Sequence, residues 1–303
     1  MARIPEQRKM IIPRACSILS FMWIAAVLAH LFTTTGYSIV LRGAVGGKKT
    51  DPIFLAGIMS TALAIPAVFG VIIAPPDWSL FDTRLAIFYA IRIALTATFH
   101  IVNAKAMEYT EASTFSFIYN IRLGFAAFFG IFFLGEPFVP LQLVGGALVF
   151  AAGFVLTGLG VASPKGFSLS LLTALVFAVF TAFEKYLIFE LGYSTYMFPS
   201  ALIVCAATWA IVFIGRYPVD KEFLKSPRLG TLMVFRSISG YGFTIALAFG
   251  ALLSVTTYIS ALSCVTTPIA ALVFLNEKDS PGKKALAGII ALAGTTLIFI
   301  AAR

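Results

Sequence analysis

A long apolar stretch that returns in the second half of the chain constrains the fold more than any other feature. Residues 112–136 read ASTFSFIYNIRLGFAAFFGIFFLGE, and residues 253–277 read LSVTTYISALSCVTTPIAALVFLNE. The two stretches end on Glu136 and Glu277, which stand 141 residues apart. A fixed spacing between similar segments predicts an internal repeat.

The composition is typical of a membrane protein. Of 303 residues, 60% are hydrophobic and only 12% are charged, whereas a soluble domain has roughly 25% charged residues. Several apolar stretches reach the length of about 20 residues that a bilayer-spanning helix needs. The net charge of +9 sits mostly in the N-terminal tail and the short loops. Basic residues at these places contact anionic lipid headgroups and set topology, so nucleic acid is not expected as a partner.

The sequence carries no motif of catalysis or metal binding. It contains no His-Glu-x-x-His, no phosphate-binding Gly loop with Lys and no Gly-x-Ser-x-Gly. Cys16, Cys205 and Cys264 lie far apart, and His30 and His100 are isolated, so neither a metal site nor a disulfide framework is indicated. We therefore expect a protein that is not an enzyme and has no cofactor and no metal.

Hydropathy and turn signals predict an all-α polytopic membrane protein with ten transmembrane helices. The predicted spans are 17–41, 53–74, 85–107, 112–134, 139–160, 168–190, 197–214, 229–251, 254–275 and 285–301. The first apolar run is too long for a signal peptide, so we interpret it as a spanning helix. Residues 1–16 before it form a tail that we predict to be cytoplasmic.

The repeat extends beyond the opening pair of stretches. Arg92 and Arg236 stand at corresponding positions of the third and eighth spans. Each lies eight positions after the arginine of an Arg-Leu pair. The chain therefore divides into a first five-helix unit at 17–160 and a second at 161–303. Five is an odd number, so the second unit enters the membrane upside down. Inverted repeats of this kind place a substrate site near the midplane, between the units.

Two five-helix units, each with a Phe-Leu-x-Glu end on its fourth helix and a Gly-rich fifth helix, resemble the EamA-type transporters of the drug/metabolite transporter (DMT) superfamily. The first unit matches at residues 134–137, which read Leu-Gly-Glu-Pro, and at the glycines 145–146 and Gly153. The second unit departs from the pattern, because Asn276 replaces the glycine. The resemblance covers nearly the whole chain. It implies two EamA-like repeats and transport of a small organic solute, often outward.

Two indications of orientation disagree. The family pattern puts both termini in the cytoplasm, and the basic tail with Arg3, Arg8, Lys9 and Arg14 favours the same side. The loops that this arrangement leaves outside nevertheless carry more Lys and Arg than the inside loops, which favours the reverse. We follow the family and the tail. This predicts a multi-pass protein of the inner or plasma membrane with cytoplasmic termini.

Polar side chains inside the predicted spans are the candidates for a functional site, because an ionisable group there costs at least ~2.5–3.5 kcal/mol to insert. The predicted substrate-binding residues are His30, Tyr37, Arg92, Asn103, Tyr119, Asn120, Arg122, Arg236 and Tyr258. The predicted coupling residues are His100, Glu184 and Lys185. These side chains come from several spans, which we expect to surround a central cavity.

Structural roles are the alternative for many of these residues. Arg92 and Arg236 lie about two turns from a helix start, close enough to snorkel to the interface. Glu184 and Lys185 can neutralise each other, and the histidines can simply join helices by hydrogen bonds. Glu136, at a helix end, is interpreted as a cap or a loop contact. The Phe-rich runs are interpreted as mostly lipid-facing.

These features predict a secondary transporter, with export as the direction, that works by alternating access through an electropositive cavity. The expected substrate is a small metabolite that bears a carboxylate, or a zwitterion such as an amino acid, because arginine offers a planar fork to carboxylate. A proton is the coupling ion considered, and we expect a monomer in contact with membrane lipid. The alternatives are an uncoupled facilitator or channel, and a membrane assembly or sensory subunit that transports nothing.

Overall fold

The computed structural model describes residues 17–45, 50–137, 139–157, 163–249, 251–274 and 281–301. Within these ranges the chain is helical and contains no β-strand. The helices are α1 Ser17–Val45, α2 Pro52–Ile73, α3 Thr83–Tyr109, α4 Ala112–Tyr119, α5 Arg122–Leu134, α6 Pro140–Thr157, α7 Pro164–Leu191, α8 Tyr193–Ile214, α9 Lys221–Lys225, α10 Pro227–Ala248, α11 Leu253–Ser260, α12 Ser263–Phe274 and α13 Pro281–Ala301. A short 3-10 turn, Trp78–Leu80, precedes α3.

Side-chain caps fix where several helices begin. Asp51 accepts a hydrogen bond from the backbone N–H of Ile53 (2.7 Å) at the start of α2. Ser163 accepts one from the N–H of Gly166 (3.0 Å) at the start of α7. A proline directly follows each of these caps. Each cap satisfies a backbone donor that the first turn leaves free, and proline tolerates that position because it has no N–H to satisfy.

A left-handed glycine ends α5 and turns the chain back on itself. Gly135 has φ 67°, a conformation that favours glycine because a Cβ atom is strained there. After this turn the backbone N–H of Glu136 donates to the carbonyl oxygen of Gly130 (2.9 Å). The Leu-Gly-Glu-Pro motif thus folds back, and the Glu136 side chain is buried against the bundle.

Two of the predicted spans are interrupted at corresponding positions. The fourth predicted span, 112–134, divides into α4 and α5 at residues 120–121. The ninth, 254–275, divides into α11 and α12 at residues 261–262. The sequence predicted one continuous helix in each case. Neither break contains a glycine or a proline, so no turn signal marked it.

The same hydrogen bonds bridge both breaks. The N–H of Ile121 donates to the carbonyl of Ile118 (3.1 Å), and the N–H of Leu262 donates to the carbonyl of Ile259 (3.1 Å). The two donors, like the two acceptors, stand 141 residues apart, which is the spacing of the sequence repeat. Such 3-10 bonds in the middle of a helix often mark a hinge.

The two breaks contact each other. The side-chain amide of Asn120 donates to the carbonyl oxygen of Ala261 (3.3 Å). The hydroxyl of Ser116 donates to the carbonyl of Ser263 (3.0 Å). The first bond satisfies the carbonyl of Ala261, which lies within the break of the second helix. Both bonds link the two halves of the chain.

The helices pack mainly in four pairs: α1 with α10, α3 with α7, α2 with α8, and α6 with α13. Gly145 and Gly294 bring α6 and α13 together. A Cβ atom added at either glycine would lie 2.6 Å from the carbonyl oxygen of the other. Close approach of small residues is a usual way in which helices associate in lipid, where no hydrophobic driving force joins them.

Six helices in the described part of the chain are long and apolar enough to cross a membrane: α1, α2, α3, α7, α8 and α10. Many of their large apolar side chains are exposed, including Phe69 (62%) and Ile72 (74%) on α2. Exposed apolar surface of this extent suits lipid rather than water. The prediction of an all-helical, polytopic membrane protein is confirmed at this level.

Hydrogen bonds between helix ends fall into two separate sets. The first set joins Arg42 with Met107, Thr50 with Asp220, and Lys165 with Tyr109. The second set joins Asp77 with Thr195, and Glu136 with Lys185 and Leu253.

At the surface, the hydrogen bonds that Asp220 accepts from Phe223, Thr50 and Glu222 hold its pKa below the usual range.

Candidate functional site

A cavity of about 60 Å³ lies between α1, α3, α7 and α10, and the break between α4 and α5 forms part of its wall. The polar side chains that line it are His30, Thr34, Tyr37, Arg92, Thr96, Tyr119, Arg122, Glu184, Arg236, Ser239 and Thr244. The other lining residues are Leu63, Phe99, Phe177, Phe180, Met197, Gly240 and Phe243. Sites for drug-sized ligands measure roughly 300 Å³ or more, so in this conformation the cavity suits only a compact group.

Arg92 and Glu184 form a buried ion pair across the cavity wall. Nη2 of Arg92 on α3 lies 3.1 Å from Oε2 of Glu184 on α7. The other carboxylate oxygen, Oε1, accepts a hydrogen bond from the hydroxyl of Thr244 on α10 (2.6 Å). The guanidinium of Arg92 also lies over the ring of Tyr196, 4.9 Å from its centroid. Each oxygen of Glu184 therefore already has one partner in the protein.

Arg122, the first residue of α5, has no acidic partner within the described residues. Its guanidinium carbon lies 4.1 Å from the ring centroid of Tyr119 and 4.8 Å from that of Phe177. These aromatic contacts favour the cation, but its Nε and Nη2 atoms are buried without a hydrogen-bond partner in the same part of the structure. The side chain is only 1% exposed, so these two donors are buried and meet no acceptor among the described residues.

Arg236 on α10 lines the cavity without forming an ion pair within the described ranges. Its guanidinium lies over the ring of Tyr37, 5.7 Å from the centroid. The hydroxyl of Tyr37 in turn accepts a hydrogen bond from the side-chain amide of Asn103 (3.0 Å). Asn103 therefore holds a cavity-lining ring in place but does not itself line the cavity.

His30 and Ser239 join α1 to α10 beside the cavity. Nδ1 of His30 lies 2.7 Å from the carbonyl oxygen of Ser239, so this nitrogen carries the proton and donates. The hydroxyls of Thr34 and Ser239 lie 2.6 Å apart. Nε2 of His30 has no partner among the described residues. This nitrogen is thus available to a ligand in the cavity.

Some predicted site residues lie outside the cavity lining. Asn120 bonds across the two helix breaks, and Tyr258 packs against Gly146 on α6. His100 is completely buried, and neither ring nitrogen has a partner among the described residues. The predicted site residues thus divide into those that line the cavity and those that lie elsewhere.

Lys185, the neighbour of Glu184, points to a different place. Its ammonium lies 2.7 Å from Oε1 of Glu136. The same oxygen accepts a hydrogen bond from the N–H of Leu253 (2.6 Å), the first residue of α11. Glu136 therefore neutralises a cation and caps a helix N-terminus, where a negative charge is favourable. Glu277, its predicted counterpart, lies outside the described residues.

Phe177 and Phe180 line the cavity although the sequence did not mark them as site residues. We interpreted the Phe-rich runs as lipid-facing, and this holds for Phe132 and Phe133, which are 72% and 66% exposed. The signal that identifies Phe177 and Phe180 is their spacing from Glu184. Residues four and seven positions away along a helix share its face.

The electrostatic balance of the cavity is strongly positive. Arg92, Arg122 and Arg236 contribute three formal charges, and Glu184 offsets one of them. All four side chains are at least nine-tenths buried. No group of three or more His, Cys, Asp or Glu side chains that could hold a metal ion occurs in the described part of the chain. The cavity is therefore arranged to attract an anion.

Comparisons with known proteins agree with this architecture. The profile of the EamA-like transporter family matches residues 21–158. A comparison with curated proteins found no significant match. A crystal structure described only as that of a protein is similar, with a TM-score of 0.71 and 15% sequence identity over 94% of this chain and 98% of that chain. At this identity the likeness shows the fold alone.

The family profile covers most of the first predicted five-helix unit, including the helices that carry Arg92 and Arg122. Members of this family are transporters rather than enzymes. Residues 21–158 of this chain thus match the EamA-like transporter family, which is part of the drug/metabolite transporter superfamily, as the sequence resemblance predicted.

Proposed function

We propose that this protein is a secondary transporter that moves a small organic metabolite by alternating access through the cavity, and that this metabolite bears a carboxylate or is a zwitterion such as an amino acid. The observation that carries the proposal is the set of three buried guanidinium groups around one carboxylate. An unpaired ion at membrane depth costs several kcal/mol. A substrate that brings negative charge offsets that cost, and arginine binds carboxylate in a bidentate manner.

We infer that ten spans form two inverted units, 17–160 and 161–303. The packing pairs support this symmetry: exchanging the units converts the pair α1 and α10 into the pair α7 and α3, while α2 with α8 and α6 with α13 exchange with themselves. The two helix breaks at equivalent positions support it as well. If ten spans cross the membrane in alternating directions, the helix ends joined within each set of contacts lie on the same side of the membrane. The first set then lies on one side and the second set on the other.

The two breaks are the proposed moving parts of the cycle. Discontinuous helices near the midplane are common in inverted-repeat transporters, where they form the substrate site. Here the first break stands between Tyr119 and Arg122, both of which line the cavity. A change in the 3-10 turn at Ile121 would therefore re-aim Arg122.

Glu184 is the proposed proton-coupling residue. Arg92 from α3 and Thr244 from α10 contact it, Arg236 from α10 lines the same cavity, and Tyr196 from α8 packs on the guanidinium of Arg92. Protonation of Glu184 would release Arg92 from its ion pair and raise the positive charge of the cavity. The other coupling candidates fit this role less well, because Lys185 is engaged by Glu136 and His100 is outside the cavity lining.

The decisive experiment is counterflow in proteoliposomes. A carrier that alternates access accumulates labelled substrate against an internal pool of the same unlabelled substrate, and the initial rate saturates. A channel shows neither trans-stimulation nor saturation, and a sensory or assembly subunit shows no flux. A panel of small organic acids and amino acids supplies the substrates. No flux of any member would contradict the proposal.

We further propose a monomer in the inner or plasma membrane, with both termini cytoplasmic and with export as the direction. Cysteines introduced at Lys165 and Ser79, both exposed positions, test the orientation in a cysteine-free background. An impermeant thiol reagent added outside intact cells should label Lys165→Cys and not Ser79→Cys. The reversed pattern would overturn the orientation and support the Lys/Arg count of the loops.

A further inference from the structure

The three arginines of the cavity differ in whether an acidic side chain neutralises them, and this difference limits which substrates the cavity can bind. Arg92 is neutralised by Glu184 at 3.1 Å. Arg122 and Arg236 line the same cavity, and neither has an ion-pair partner within the described residues. With Glu184 ionised, two positive charges of the cavity are left for a ligand to balance.

Arg122 presents a complete binding edge. Its Nε and Nη2 atoms, whose N–H bonds point the same way from one edge of the planar guanidinium, are the two donors without a partner among the described residues. Tyr119 and Phe177 pack on the group, at 4.1 and 4.8 Å from its carbon, and hold its position. A carboxylate can accept both parallel N–H bonds of such an edge at once.

Arg236 supplies the second positive charge. It approaches from α10, whereas Arg122 approaches from α5, so the two belong to different halves of the chain. Nε of Arg236 is also buried without a partner in the described part of the structure. A ligand with one acidic group satisfies one of these arginines and leaves the other charge uncompensated, which is costly in a buried site.

Among its described lining residues, the cavity offers an ammonium group no carboxylate that is free of an ion pair, and acceptors such as Nε2 of His30 are neutral. Glu184 is the one carboxylate among these lining residues, and its charge is already balanced by Arg92, while its other oxygen accepts from the hydroxyl of Thr244 at 2.6 Å. An ammonium would meet an excess of positive charge instead, and like-charge juxtaposition costs several kcal/mol in a desolvated site.

We propose that the cavity selects a compact dianion with two carboxylates, one held by Arg122 and one by Arg236, and rejects zwitterions. This inference rests on the proposed transport function and narrows its substrate from carboxylate-bearing or zwitterionic metabolites to dicarboxylic acids. The small volume of about 60 Å³ restricts the distance between the two acidic groups, so a short carbon chain is favoured.

Four probes of similar length test the proposal at neutral pH with the purified, full-length protein. Succinate is a dianion, butyrate lacks one carboxylate, 4-aminobutyrate replaces it by an ammonium, and aspartate adds an ammonium to the succinate skeleton. Thermal stabilisation and proteoliposome counterflow are measured for each. We expect succinate to bind at least tenfold more tightly than the other three. Malonate and oxalate, tested in the same way, define the preferred spacing.

Variants extend the test. Arg122→Gln and Arg236→Gln should each reduce succinate binding to the level of butyrate and abolish the preference. Arg84→Gln, on the exposed start of α3, is the matched control and should keep it. The probe series needs no variant, so it decides the matter even if a variant fails to fold.

The outcomes separate the two proposals. If 4-aminobutyrate or aspartate binds and is transported as well as succinate, the dianion inference is wrong while the transport function stands. Equal binding of butyrate and succinate also overturns the dianion inference. If no organic acid or amino acid is transported, the proposed function itself fails.

Discussion

Glu184 and Lys185 are neighbours in the chain but belong to two different regions of the molecule. Glu184 pairs with Arg92 at 3.1 Å inside the cavity. Lys185 pairs with Glu136 at 2.7 Å, where Glu136 also caps α11. Successive residues on a helix point about 100° apart, so one turn of α7 serves both places. We call the first the cavity pair and the second the helix-end pair.

The two pairs differ in what surrounds them. The helix-end pair is balanced, because Glu136 satisfies one cation and one backbone N–H. The cavity pair is accompanied by two further arginines without acidic partners in the described chain, Arg122 and Arg236. A balanced buried pair serves the fold, whereas an excess of charge suits a ligand. Mutations should therefore separate stability from transport.

The largest effect is expected from breaking the helix-end pair. Glu136→Ala leaves the Lys185 ammonium without its partner and the Leu253 N–H without its acceptor. We expect a loss of roughly 3 kcal/mol in the free energy of unfolding, measured as a lower Tm of the purified protein. Glu190→Ala, which removes an exposed acid on α7, the helix that carries Lys185, is the control. Equal Tm values for the two variants would contradict a structural role for Glu136. A changed substrate preference in Glu136→Ala would contradict the inference that the helix-end pair does not act on the cavity.

Removing the unpaired cavity charge should act on binding. Arg122→Ala is expected to weaken the binding of an anionic substrate by about 1.5–3 kcal/mol, or roughly ten- to 150-fold, because charge-assisted hydrogen bonds are lost. Arg122→Lys should restore only part of this loss, since an ammonium lacks the planar fork. Equilibrium binding, with Arg84→Ala as the control, measures both. Unchanged affinity in Arg122→Ala would make this arginine a packing residue and remove the distinction between the two regions.

Neutralising the cavity pair should change the response to protons. Glu184→Gln keeps the size of the side chain but cannot take up a proton, so transport should become insensitive to an imposed pH gradient. Initial rates in proteoliposomes with and without the gradient measure this, and Glu190→Gln serves as the control. If wild-type transport already ignores the gradient, Glu184 is not the coupling residue, whatever the variant does.

The sequence predicted the arginines of the cavity better than the backbone around them. Arg92 and Arg236 were paired by the repeat, and both line the cavity. The breaks at 120–121 and 261–262 were missed because a 3-10 turn needs no glycine or proline. Adjacent charges such as Glu184 and Lys185 look like partners in a sequence. Only tertiary packing determines which neighbour faces each of them, and the same holds for which phenylalanines face lipid.

The smallest effect is expected at the contact between the two breaks, which belongs to neither region. Asn120 donates to the carbonyl of Ala261 at 3.3 Å, and Arg122 begins the next helix only two residues later. Asn120→Ala should cost about 0.5–1.5 kcal/mol of stability, the net contribution of one hydrogen bond. Because the same turn aims Arg122 into the cavity, a reduction of a few-fold in substrate affinity should accompany this loss. Thr98→Ala, which removes an exposed hydroxyl on α3, is the control for both measurements.

A loss of stability with unchanged affinity would mean that the aromatic contacts with Tyr119 and Phe177 hold Arg122 in place without the turn. The cavity would then be independent of the break, and the proposal that the break moves Arg122 during transport would fail with it.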